Sequence, residues 1–326
     1  MTQRLLPSLL AGLALAVLSA GNAQAQAPAY PSKTIRLLVG SPPGAPSDIT
    51  ARLFAERLSQ RLGQSVVVEN RPGAGTSLAA GVVAAAEPDG YTLGVSPDTV
   101  VTVNPLVYPK LTFDARKDLM NLSVLANFTQ MLVCHPGTGV KTAAELVARA
   151  NANRMIYASG GAGVPGHLAA EMFLREAGVG MEHIAYRGPA PATTAVLAGE
   201  VSCGFLATPT VLPHVKTGRL VALAVSSAEP SALAPQVPTL AEALHKPTLD
   251  ISFKLLLQAP KGLPAAVASA LEQAAGAIMT TPDVQTRLQA LDLRGVGSTR
   301  QVAEAQVQAD TARWAPVVKR LNLTLD

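Results

Sequence analysis

Aromatic side chains are scarce in this chain of 326 residues, at 4%. So few rings do not line a sugar groove or build a stacking platform for nucleic-acid bases. Charge is thin as well: Asp, Glu, Lys and Arg together make 15%, with a net charge of +4. No block of Lys or Arg stands anywhere, which argues against a dedicated nucleic-acid surface. Cysteine is nearly absent, Cys134 and Cys203 being the two. Both fall in strand-like runs, so they form either a disulfide, which an oxidising compartment permits, or a pair of buried thiols. No Cys/His spacing matches a metal site. G-x-S-x-G, H-E-x-x-H and the P-loop are all missing, and no carboxylate pair stands at a useful spacing. No catalytic residue, metal or cofactor is therefore expected. An exported hydrolase, its groups converging from distant positions, is the less favoured alternative.

What is present points out of the cytoplasm. Arg4 and the free amine give a positive start, residues 5–20 are apolar, and Ala23-Gln24-Ala25 fits a small-x-small cleavage site. Residues 1–25 are expected to be a signal peptide, with the exported chain beginning near Gln26 in the periplasm. Arg4 stands alone, so the twin-arginine route for cofactor-loaded proteins is not indicated. No later run is long and apolar enough to span a bilayer, so the exported chain is expected to be soluble. Roughly 300 residues remain, too many for one ordinary core and right for two domains. Hydrophobic residues, at 48%, suffice to fill both.

The patterning is α/β. A strand over 35–40 leads through a turn-rich loop, 41–47, into a helix over 48–62, where Ile49, Leu53, Leu58 and Leu62 share a face. A strand over 65–69 completes a β-α-β unit, so the sheet starts parallel. A Gly-rich loop, 70–75, opens an Ala-rich helix to Ala86, and 91–95 is a strand. A second block begins near Asn127. Its strands over 130–134, 155–158, 184–187, 201–206 and 220–226 alternate with helices over 142–151, 167–177 and 190–198. The remainder reads as mostly helical. Thr142…Glu145, Thr239…Glu242 and Ser298…Gln301 fit capping boxes, and Pro316 is placed to kink the last helix. No flexible linker separates the blocks, so the chain is expected to cross more than once between two lobes of a hinged clamshell. Lobe one is then 26–126 plus 227–326, and lobe two is 127–226.

Three Gly-rich loops follow a strand and precede a helix: 41–47, 70–75 and 159–166. In open α/β sheets ligands bind beyond the carboxyl ends of strands. A helix N-terminus there offers unpaired N–H groups and a partial positive charge. One such loop is an ordinary turn; three, spread over both halves of the chain, point to a shared anion site. Gly161-Ala-Gly163-Val-Pro-Gly166 formally matches G-x-G-x-x-G. The next strand ends at Arg187, with no acidic residue for a ribose hydroxyl, so a dinucleotide is not expected. Ser47 and Asp48 either cap the first helix or place polar groups at the cleft mouth. Ser96, Asp98 and Thr99 belong either to the cleft or to a plain turn. His167, opening the helix after the third loop, is either structural or ligand-facing.

Several stretches resemble one family in order and over the whole exported chain. They are Tyr30-Pro-Ser-Lys-Thr-Ile-Arg-Leu-Leu-Val with Pro43-Gly…Asp48, Gly63-Gln-Ser-Val-Val-Val-Glu-Asn-Arg-Pro-Gly-Ala-Gly75 and Pro88-Asp-Gly-Tyr-Thr-Leu93. Ser159-Gly-Gly-Ala-Gly-Val-Pro-Gly-His-Leu168, Tyr186-Arg-Gly…Pro191-Ala192 and Pro213-His-Val-Lys-Thr-Gly218 continue the series. The family is the receptors of tripartite tricarboxylate transporters, the Bug-type periplasmic solute-binding proteins. The resemblance implies a type II clamshell, each lobe a mostly parallel sheet flanked by helices. It implies a small carboxylate in the cleft, held largely by backbone amides and bridging water. Separate membrane permease subunits are the implied partner, with a monomeric receptor and no nucleic acid. Ligand contacts are expected from Pro43, Gly44, Ser47 and Asp48, from Ser96, and from Ser159, Gly161, Gly163, Gly166 and His167. Ala190 and Pro191 complete the expected set. Ala195, Ser202 and Leu206 stand where the family commonly carries acidic residues, and Ala45 and Pro46 replace glycines of its first loop. Such a cleft is less acidic and stiffer, which disfavours an ammonium-bearing ligand and favours an aromatic or aliphatic mono- or dicarboxylate. A ligand sensor feeding a membrane kinase is the runner-up reading.

Overall fold

The computed structural model describes residues 30–325, so the expected signal peptide, 1–25, lies outside the described residues. Lys33–Asp326 make one compact unit. It opens with β1 (Ile35–Val39), α1 (Pro46–Leu62), β2 (Val66–Asn70), α2 (Ser77–Ala84) and β3 (Thr92–Pro97). Two short helical turns, Thr99–Thr102 and Asn104–Val107, lead to β4 (Leu119–Phe128). Next come β5 (Gln130–Cys134), α3 (Ala143–Ala152), β6 (Ile156–Ser159), α4 (Pro165–Ala177) and β7 (Glu182–Ala185). They are followed by α5 (Pro189–Leu197), β8 (Cys203–Ala207), α6 (Thr208–Lys216) and β9 (Val221–Val225). The chain returns through β10 (Phe253–Pro260), α7 (Ala265–Met279), α8 (Pro282–Gln289), β11 (Arg294–Gly295) and α9 (Arg300–Leu321).

Two mixed sheets result, ordered β11-β4-β10-β3-β1-β2 and β7-β6-β8-β5-β9. The βα units make parallel pairs, β1 with β2 and β3, and β6 with β7 and β8. A reversed strand then follows the third: β10 lies antiparallel to β3 and β4, and β5 antiparallel to β8 and β9. Both sheets thus share one plan, and in each the reversed strand is the one arriving from the other sheet. Helices flank both, giving a two-lobed α/β architecture.

The chain passes between lobes at Thr129, and again over 226–252. The two passages are tied: Gln130 N–H donates to Ser226 Oγ at 2.8 Å, and Ser226 N–H to the Gln130 carbonyl at 2.8 Å.

Local expectations change in the stretch after 226 and at the capping boxes. The regular structure after 226 is mostly helical, as expected, but it also contains β10, which runs through the centre of the first sheet. Apart from Lys254 this strand is buried on both faces, so it shows no alternation that marks a strand in sequence. The third capping box shifts by one residue: Thr299 Oγ1 accepts from Val302 N–H at 3.3 Å. At Thr142 the hydroxyl caps Glu145 N–H, but the Glu145 carboxylate takes the Lys141 N–H, so the reciprocal box is complete only at Thr239–Glu242. The last helix runs on through Pro316.

Each lobe buries its own apolar cluster. Leu38, Val83, Val124, Leu256 and Val307 meet in the first, and Met131, Val133, Val196, Leu206 and Val225 in the second. Burying a side chain of that size stabilises the fold by roughly 1.5–3 kcal/mol. The single tryptophan, Trp314 on α9, is fully buried and stacks on Phe253 of β10 at 5.9 Å, with Phe128 beyond. Cys134 and Cys203 stand directly opposite on β5 and β8 and are joined as a disulfide, which decides between the two sequence-based alternatives.

Candidate functional site

Loops at the carboxyl ends of strands in both sheets enclose a cavity of about 610 Å³, within the range that holds small ligands. From the first lobe come residues 40–42 and 45–47 after β1, the 72–76 turn after β2, and Pro97 at the end of β3. The second lobe contributes residues 160–162 and 164–166 after β6, 185–189 from the end of β7 onward and 205–207 at the end of β8. Tyr108, Phe128, Gln130 and Leu255 complete the wall.

The helices that follow these strands aim their N-termini at this space. α1, α4, α5 and α6 have Ala45, Val164, Gly188 and Ala207 as N-caps, and α2 follows Thr76; none has a side-chain cap. The residues before and at these starts line the cavity. Side-chain caps occur instead on α3, α9 and the 240–243 turn, none of which touches it. α1, α4 and α5 begin with Pro46, Pro165 and Pro189, whose fixed φ suits a first turn. The N–H groups that follow have no intrahelical acceptor, and with the helix dipoles they give one wall a positive potential. Among the described residues, Arg187 is the single charged one lining the cavity. It is exposed and makes no ion pair among the described residues.

The lobes touch across this space. Tyr108 Oη donates to the Ala162 carbonyl at 2.8 Å, and burial pushes the Tyr108 phenol pKa up. Gly188, at φ +122, lies against Pro42; a β-carbon there would stand 2.7 Å from the proline ring. Gly166 permits a second close approach: a β-carbon would sit 2.3 Å from the Phe205 carbonyl oxygen, so only glycine lets α4 begin this close to β8.

Of the residues expected from sequence, Ser47, Gly161 and Gly166 line the cavity. Ser47 shares a short hydroxyl–hydroxyl hydrogen bond with Ser41, another lining residue. The other nine lie off the wall. Pro43 and Gly44 are exposed beside it, as are Ala190 and Pro191 farther along α5. Asp48 does not cap α1. Its buried carboxylate accepts from Gly44 N–H at 2.9 Å, Asn70 Nδ2 at 2.8 Å and Arg52 at 3.0 Å. Burial opposes ionisation there, yet these hydrogen bonds outweigh it and hold the Asp48 carboxyl below its ordinary pKa. Ser96 Oγ is buried and donates to Gln258 Oε1 at 2.6 Å. Gly163 packs under Tyr108. Ser159 and His167 stand behind the third loop. Among the departures from the family pattern, Leu206 and the pair Ala45 and Pro46 line the cavity, Ala195 is core, and Ser202 is off the wall.

Sequence reasoning passed over Thr76, Tyr108, Phe128, Gln130, Tyr186 and Arg187 as wall residues. Tyr186 and Arg187 stood inside a quoted motif, and that was the available signal. Thr76 is unusual for a β-branched residue: it adopts φ +73 with a buried hydroxyl that has no hydrogen-bond partner among the described residues.

The family model described as the tripartite tricarboxylate transporter family receptor matches residues 50–323. Protein BugT of Bordetella pertussis is 30% identical, over 97% of this chain and 98% of its own. The Rhodopseudomonas palustris protein Rpa4515, solved with adipate, superposes with a TM-score of 0.86 at 28% identity, covering 90% of this chain and 99% of that one. MatC of the same organism, solved with bound malate, gives 0.83 at 27% identity, covering 89% and 100%.

Proposed function

Since the chain belongs to the tripartite tricarboxylate transporter receptor family, we propose that it captures a small dicarboxylate between its lobes and passes it to permease subunits of a tripartite transporter. It acts as an exported monomer in the periplasm. The observation that carries this reading is the charge pattern of the wall: uncapped helix starts, one unpaired arginine, and no carboxylate. Helix N-termini stabilise an anion without a salt bridge, so one carboxylate sits on the loop amides and the second faces Arg187. Gly161, Gly166 and Ser47 are the expected contacts retained from the sequence. With no acidic group on the wall, an ammonium-bearing ligand would lose hydration without gaining a partner.

Closure is proposed to be a hinge motion about Thr129 and Ser226, with lobe one as 30–128 plus 253–325, lobe two as 130–225, and the passages between them at Thr129 and over 226–252. The paired passages make a short, hydrogen-bonded hinge of the kind that absorbs a rotation in few residues.

The test is a thermal-shift series with adipate, malate, glutamate and the uncharged isostere adipamide. A ligand at a thousand times its Kd stabilises the folded state by about 4 kcal/mol. Adipate or malate should raise Tm, while glutamate and adipamide should not. Arg187→Gln should weaken the dicarboxylate about tenfold, the loss expected for one charge-assisted contact. A shift with adipamide, or with glutamate, in the absence of any shift with adipate or malate would refute the reading.

A further inference from the structure

Behind the 159–163 loop lies a polar cluster whose own residues stand off the cavity wall. Tyr157 and Ser159 lie two residues apart on β6 and so share one face. Tyr157 is in register with His183 on β7, which places that ring beside it, 4.8 Å away and nearly parallel. α4 covers this face with His167 and Glu171, one turn apart. The His167 ring stacks on His183 at 4.1 Å, with 9° between planes.

Each ring holds one end of the loop. His167 Nδ1 accepts from Gly163 N–H at 3.0 Å. Its proton is therefore on Nε2, which faces Glu171 Oε1 at 3.8 Å; Tyr157 Oη donates to that same oxygen at 2.6 Å. Ser159 Oγ donates to the Gly161 carbonyl at 2.8 Å and accepts from Gly161 N–H at 3.3 Å. The hydroxyl proton is thus committed, so His183 Nε2, 2.7 Å from Oγ, is the donor. Both rings are neutral in the same tautomer. Burial and the neighbouring His183 lower the His167 pKa to about 3, and burial lowers that of His183 to about 4. His167 and Glu171 are accordingly not an ion pair.

We propose that His183 and His167 are positioning residues which, through Ser159 Oγ and Gly163 N–H, fix the loop conformation that turns the amides of Gly160 and Ala162 toward the ligand. The inference rests on the carboxylate reading for its binding consequence and on geometry alone for its loop consequence. Two readouts on the exported chain separate them: amide hydrogen exchange of 159–163 without ligand, and calorimetry with adipate. His183→Phe keeps a stacking ring and loses the donor; Ser159→Ala removes the relay with little change in volume. Each should speed exchange at Gly161 and Gly163 about tenfold and weaken adipate about tenfold, the loss of one buried hydrogen bond. The double variant should be no worse than the worse single, because both changes break one connection. His183→Gln, which retains an N–H donor, should stay within about threefold of the unmodified protein. Unchanged loop exchange in both single variants would overturn the proposal, as would faster exchange with adipate affinity intact. If the unmodified protein binds no carboxylate, the function reading fails by itself, and exchange alone decides the positioning role.

Discussion

Asp98 gives the sharpest stability prediction. It follows β3, is fully buried, and neither carboxyl oxygen has a hydrogen-bond partner among the described residues. Its backbone N–H is satisfied by the Lys254 carbonyl at 2.9 Å, but the side chain is not. Burial pushes the carboxyl up to about 7, with Lys254 opposing and Asp310 reinforcing the rise. A raised folded-state pKa means that the native protein holds the proton more tightly than the unfolded chain does. Its stabilising effect is complete below the unfolded value of 3.8 and is lost as pH rises through about 7. Over that window the loss amounts to ~4 kcal/mol, or on the order of 10 °C in Tm for a chain of this size. Asp98→Asn is nearly isosteric with the protonated acid and cannot ionise. Melting curves of the two proteins should nearly coincide at pH 4, and the variant should lead by that margin at pH 8. Lys254, Asp310 and Arg313 are present in both proteins, so the comparison isolates Asp98. An offset that is the same at both pH values would refute the reasoning.

Tyr108→Phe removes the hydrogen bond to Ala162 across the cleft; adipate Kd should rise about three- to tenfold by calorimetry, with the ligand-free Tm little changed. Gly166→Ala drives a β-carbon into the Phe205 carbonyl; it should cost about 1–3 kcal/mol by denaturant melts and weaken adipate as α4 is displaced. Replacing Cys134 and Cys203 by Ser opens a disulfide with a sequence separation of 69; chain-entropy reasoning gives a loss of ~4 kcal/mol, and reductant should then leave the variant's Tm unmoved while lowering that of the unmodified protein.

Local signals carried much of the fold. The strand over 130–134 is legible from its apolar run, and the loops 41–47, 70–75 and 159–166 from glycine and proline between a strand and a helix. What escaped was non-local. β4 and β10 pair through the middle of the first sheet, where burial on both faces erases alternation. The cavity wall shows the same division. Gly161 and Gly166 follow from the loop pattern, whereas Gln130 and Phe128 reach the wall only because the chain crosses between lobes there. Asp48 misled for a local reason: Arg52, one helical turn on, and Asn70 offered its carboxylate better partners than the helix start did. His167 stands off the wall: its position at a loop end fits a ligand contact and a loop anchor equally well in sequence, and its hydrogen bond from Gly163 N–H is visible only in the folded chain.

The burial of Trp314 against Phe253 has a consequence for anyone who watches this protein by light. Its one indole lies within the first lobe's core and off the cavity wall. Intrinsic emission will therefore report unfolding faithfully and be nearly blind to ligand. Tyr186, on the wall, is the natural place for a second fluorophore: a Tyr186→Trp variant would add an emitter whose colour follows occupancy, leaving Trp314 as its internal reference.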